Sequence, residues 1–151
     1  MIELLFVNES KRPLPRQFMQ SWMKAVTCEL PAADRKRLSK KKLQMTLAFL
    51  NEPRARRLNR EYRKRDYATD VLSFAGDGQE SLGDLVICPE VLVRQARDHD
   101  LSFRAELAYM VLHGLLHLLG YDHEGSKAQA RRMLRLQDRI FSKLQRLHSP
   151  G

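Results

Sequence analysis

The chain has little cysteine: Cys28 and Cys88 are its only two, sixty residues apart and outside any C-x-x-C pattern. That excludes a disulfide framework and a cysteine-rich zinc site, and it leaves reduced core thiols as the expectation. Long apolar runs are missing as well. No stretch reaches the ~20 residues that a membrane span needs, and Met1-Ile2-Glu3-Leu4-Leu5-Phe6-Val7 carries neither a basic lead nor a cleavage-site pattern. A soluble, unexported, cytoplasmic protein without membrane attachment is expected. Internal repeats and low-complexity segments are absent, and only Ser149-Pro150-Gly151 reads as a loose tail.

Within those bounds, 151 residues suffice for one domain with a real core and fall short of two ordinary ones, so a single domain over 1–151 is expected. The net charge is +9 and unevenly spread. Residues 1–75 hold 17 Lys and Arg against 8 Asp and Glu, residues 76–124 hold 3 against 9, and residues 125–151 hold 7 against 1. An acidic middle favours a divalent cation, and basic flanks favour a polyanion such as nucleic acid, although charge runs are often only solvated faces.

The acidic middle contains His113, His117 and His123, three of the five histidines within eleven residues. A gap of four places His113 and His117 about 40° apart on an α-helix, one turn above the other, so both imidazoles can address one ion. Gly120 is the expected left-handed stop, letting Tyr121-Asp122-His123 fold back toward the helix. Three neutral imidazoles at about 2.0–2.1 Å would leave a tetrahedral zinc ion one vertex for water, the open arrangement of a catalytic site. A lone histidine on an apolar helix is more often a core residue, and His99 and His148 are read as core or exposed residues. Three together on a helix apolar almost all round would lack buried partners unless they bind a metal.

The spacing matches H-E-x-x-H-x-x-G-x-x-H, in which the glutamate is the general base of a protease. Gly114 stands in that place, which argues against peptidase chemistry and leaves water activation to the ion.

Strand composition is seen at Ile2–Val7, Leu43–Leu50, Val71–Phe74 and Leu82–Ile87, and the turn signal Gly76-Asp77-Gly78 between the last two predicts a hairpin or near neighbours in one sheet. Helical spacing is seen over Arg16–Val26, from the cap Asn51 to about Tyr62, from Pro89 to about Asp98, from the cap Ser102 through Leu119, and over Lys127–Leu147. The last helix should bury Ala130, Met133, Leu134, Ile140, Phe141, Leu144 and Leu147. Arg35-Lys36-Arg37 and Lys40-Lys41-Lys42 read as a basic connector. Strands and helices interleave without regular βαβ units, so the expected fold is α+β: a small mixed sheet packed with helices, with the metal site on a central helix and the turn after it.

Two sequence blocks resemble the bacterial YbeY-type endoribonucleases, or rRNA maturation factors. His113-Gly114-x-Leu116-His117-Leu118-x-Gly120-Tyr121-Asp122-His123 fits that family's H-G-x-L-H-L-x-G-Y-D-H motif at every defined position. Leu58-Asn59-x-x-Tyr62-Arg63-x-x-Asp66-x-x-Thr69-Asp70-Val71-Leu72-Ser73-Phe74 resembles its L-N-x-x-Y-R segment and following strand, and Leu82-Gly83-Asp84-Leu85-x-Ile87 its L-G-D strand. Ala68 and Ala75 stand where the family commonly has proline.

The resemblance implies an α+β metalloprotein that cleaves single-stranded RNA in small-subunit rRNA maturation and ribosome quality control. It implies one zinc ion on His113, His117 and His123, and an important arginine at Arg63. The small ribosomal subunit and an Era-type GTPase are implied as partners. On its own chemistry Arg63 offers a planar five-donor fork suited to a phosphate in its transition state, against the bland alternative of a solvated arginine beside Arg60, Lys64 and Arg65. Both a neighbouring 2′-hydroxyl and metal-bound water remain open as the attacking group, and Asp70, Asp122 and Glu124 as proton carriers. Two rival readings are a metal-stabilised RNA-binding assembly factor without turnover and a metallopeptidase.

Overall fold

The computed structural model describes residues 1–63, 71–122 and 125–148, with residues 63 and 146–148 described by backbone alone. Four strands, β1 (Ile2–Glu9), β2 (Leu43–Leu50), β3 (Val71–Ala75) and β4 (Ser81–Ile87), form one sheet in the order β1-β2-β4-β3. The helices are α1 (Arg16–Glu29), α2 (Ala32–Ser39), α3 (Glu52–Arg63), α4 (Pro89–Asp98), α5 (Phe103–Leu118) and α6 (Lys127–His148). β1 pairs with β2 in parallel, β2 with β4 in parallel, and β3 with β4 antiparallel from Val71↔Ile87 to Ala75↔Gly83. The expected α+β domain with a mixed sheet is therefore present, and the expected hairpin is the β3–β4 pair.

Local chemistry explains the boundaries. Asn51 Oδ1 accepts from Arg54 N at 3.0 Å and Ser102 Oγ from Ala105 N at 3.1 Å, capping α3 and α5. α6 starts with a reciprocal capping box: Gln129 N donates to Ser126 Oγ at 3.1 Å, and Ser126 N donates to Gln129 Oε1 at 2.9 Å.

Alternation along β2 sends Met45, Leu47 and Phe49 to one face of the sheet, level with Leu85 and Ile87 of β4, and all five are buried. α5 belongs to the same core through Leu107, Val111, Leu112 and Leu115, all inaccessible to solvent and each worth about 1.5–3 kcal/mol on burial. The opposite face carries a smaller cluster in which Leu50, Ala55, Cys88 and Val91 tie α3 and α4 to the sheet.

Three expectations need correction. Cys28 is exposed, not a core thiol, because it falls on the outer side of α1, while Cys88 is buried. Leu134 is 53 % exposed: the inward stripe of α6 runs through Met133, Leu136, Gln137, Ile140 and Leu144, a register that turns Leu134 outward. The first half of the basic connector is helical, as α2, whose one buried residue is Leu38. Leu147, expected inside, has a side chain beyond the described part. Among the described residues no helix is long and apolar enough to cross a membrane.

Candidate metal centre

α5 holds the first two expected ligands. His113 and His117 are half-buried, one turn apart, with ring centroids 4.7 Å from each other and planes at 78°. Their shared helix face follows from the four-residue gap, and their depth follows from the leucines on either side. Ahead of them, the Trp22 indole N–H donates to the Ala108 carbonyl at 2.9 Å, so α1 fixes the first half of α5.

The sequence offered no obvious buried partner for these imidazoles, and the structure supplies one from α6. Gln137, 3 % exposed, accepts from His113 Nδ1 at 3.0 Å through its Oε1. A carboxamide oxygen can only accept, so the ring proton sits on Nδ1 and the Nε2 lone pair is left for a cation, the usual means of orienting a metal-binding histidine. Gln137 was missed, yet it left a trace: it is the one uncharged polar residue within the inward stripe 133, 136, 137, 140 and 144.

α5 ends as its glycine predicts. Gly120 has φ of +105°, Gly120 N donates to His117 O and Tyr121 N to Leu116 O, both at 3.0 Å, which is the paired closure of a Schellman turn. Tyr121 is then tied to two further helices. Its hydroxyl donates to Asp34 Oδ2 of α2 at 2.8 Å, and the Arg132 guanidinium of α6 lies 5.9 Å from its ring centroid. Burial, reinforced by the bond to Asp34, pushes the phenol up to about 12.

Gly114 has a steric explanation. A β-carbon there would lie 2.6 Å from Leu85 Cδ2 in the fully buried face of β4, so the position allows close approach of helix and sheet. The place of the protease glutamate is thus a packing contact, and any side chain there would have to displace Leu85.

His123 lies outside the described residues, as do Asp70 and Glu124, and Arg63 closes α3 with its side chain outside them. Among the described residues no three His, Cys, Asp or Glu side chains form a group able to hold a metal. The donors that are described fit zinc as far as they go: two half-buried imidazoles on one helix face, one with its tautomer fixed by Gln137. His99 is separate, its Nδ1 lying 3.0 Å from both carboxylate oxygens of the buried Glu106.

Comparison with known proteins identifies the family. The family model described as Endoribonuclease YbeY matches residues 6–145. The endoribonuclease YbeY of Bdellovibrio bacteriovorus is 49 % identical over 143 residues, covering 95 % of each chain. That of Oenococcus oeni is 42 % identical over 111 residues, covering 68 % of this chain and 72 % of its own. The solution structure of TM1509 from Thermotoga maritima shares the fold across 99 % of both chains, with a TM-score of 0.61 at 23 % identity. A matching family model over most of the sequence, joined to a relative of near-equal length at almost one residue in two, places this chain in the YbeY endoribonuclease family.

Proposed function

We propose that this chain is a zinc-dependent, single-strand-specific endoribonuclease of the cytoplasm that acts in small-subunit rRNA maturation and ribosome quality control. The small ribosomal subunit and an Era-type GTPase are its expected partners. The observation that carries the reading is the His113–His117 pair with Gln137 behind it: histidines on one helix face, one of them oriented by a buried amide. His113, His117 and His123 would hold one zinc ion. When bound, that ion supplies Lewis acidity toward a phosphoryl oxygen and lowers the pKa of coordinated water.

The chain's own residues do the rest. Gln137 keeps the His113 Nδ1 proton in place, so that Nε2 stays available throughout turnover. Arg63 neutralises charge developing on the scissile phosphate with two of its five donors. The substrate is single-stranded because in-line displacement needs a backbone free to rotate, which an A-form duplex does not allow.

Purified protein is incubated with unstructured RNA and with casein, each with and without a chelator. Expected are RNA fragments that disappear with chelator and in His117→Ala, and intact casein. Casein fragments would establish the peptidase reading, and RNA that binds without being cut would leave an assembly factor.

A further inference from the structure

Tyr109 stands one turn before His113 on α5 and meets two consecutive residues of α6, Gln137 and Asp138. Its hydroxyl donates to Asp138 Oδ1 at 3.1 Å. Burial, then the charge and the hydrogen bond of Asp138, push the phenol up to about 12, while a hydrogen bond from the Gln137 side chain acts on it in the opposite sense. A hydrogen bond that favours a phenolate is one donated to its oxygen. Gln137 therefore turns its Nε2 toward Tyr109 while its Oε1 faces His113 Nδ1 at 3.0 Å. Asp138, Tyr109, Gln137 and His113 form one row, and the Tyr109 ring is also held by packing, edge-on to Phe141 with centroids 4.9 Å apart.

The row has a direction, and its outer end sets it. A carboxylate has no proton to give, so Asp138 takes the phenol proton, and the phenol oxygen then has only lone pairs to offer its other neighbour. The amide answers with Nε2 and presents Oε1 to the imidazole, which keeps the ring proton on Nδ1. With the amide turned over, its NH2 would meet His113 Nδ1 and the ring proton would move to Nε2, the nitrogen that a metal needs. The two ends of a carboxamide are almost alike in shape, so Gln137 does not choose between these states by packing. It is 3 % exposed, so neither end of the amide has bulk water as a substitute partner.

We infer that Tyr109 and Asp138 are positioning residues: together they fix which way the Gln137 amide points, and through it which nitrogen of His113 is offered to a metal ion. This rests on the proposed function only in taking a metal as what that nitrogen meets; the tautomer itself is a property of the metal-free chain.

The test is long-range ¹H–¹⁵N correlation spectroscopy of the histidine rings in the full chain without metal, at a pH where the rings are neutral, joined to zinc affinity by competitive chelator titration. Wild type should show His113 as the Nδ1–H tautomer. In Tyr109→Phe, which keeps the ring against Phe141, and in Asp138→Ala, at an exposed position, the Nε2–H form should rise to a comparable share, and zinc affinity should fall about tenfold, the low end of what outer partners of a metal ligand carry. In a Gln137→Glu background, where both side-chain oxygens accept and no orientation remains to be chosen, Tyr109→Phe should leave affinity unchanged; a general packing defect would lower it there as well. His113 remaining wholly Nδ1–H in both single variants would overturn the inference, as would an Nε2–H tautomer in wild type. Should Tyr109→Phe unfold, Asp138→Ala decides alone. Wild-type protein that takes up no zinc defeats the proposed metal centre while the tautomer populations still decide the row. Normal zinc uptake with parent-like tautomers in both variants defeats the row alone.

Discussion

Gln137 is where a single side chain bears most on the proposed chemistry. Replacing it with leucine keeps the volume and removes the acceptor from His113 Nδ1. Zinc affinity should then fall about 10- to 100-fold by competitive chelator titration, and Gln137→Glu, which restores an acceptor, should recover most of it. Affinity unchanged in the leucine variant would dissociate Gln137 from the site. Gly114 makes the converse case. Gly114→Glu forces atoms into Leu85 and buries a carboxylate, so urea denaturation should show a loss above about 3 kcal/mol, overpacking alone costing ~1–3. The same variant should gain no caseinolytic activity, and a variant as stable as the parent would refute the packing account. Both residues show why the site was only partly legible. Ligand spacing is local and can be read from a sequence, whereas the partner behind a ligand comes from a helix whose approach is set by tertiary packing.

At the scale of elements, the β3–β4 turn is held by one carboxylate. Asp77 Oδ1 accepts from the backbone N–H groups of Gln79, Glu80 and Ser81 at 2.9–3.0 Å, bonds that lower its pKa from the usual 3.8 to about 2. The folded state therefore favours the ionised form, a contribution fully present above pH 3.8 and lost as pH falls toward 2. Asp77→Ala should lower the melting temperature at neutral pH, and the gap from the parent should narrow as pH drops through that window. A constant gap would mean that the carboxylate does not tie the turn. Turn residues, caps and the hairpin were readable because each is a short-range signal. Strand pairing was not: the parallel β1–β2 and β2–β4 ladders join strands separated by two helices and by α3 with β3, and nothing in a strand's own alternation names its neighbour. α2 escaped because a helix with Leu38 as its one buried residue has almost no apolar periodicity to show.

For the whole molecule, a cation that binds only the folded chain couples metal to global stability. With zinc at about 100-fold over its dissociation constant, the native state should gain about 2.7 kcal/mol, or roughly 5–10 °C in melting temperature for a chain of this size. Scanning calorimetry of chelator-treated protein before and after adding zinc checks this, with His113→Ala expected to abolish the shift. An identical melting temperature in both states would mean that no such linkage exists.

One consequence of the packing is experimental. The sequence has a single tryptophan, and its indole is hydrogen-bonded to the backbone of the same helix that carries His113 and His117. Its intrinsic emission is therefore a built-in gauge of that helix, so metal loading, chelation and local loosening can be followed in the unlabelled protein by the colour of one residue's fluorescence.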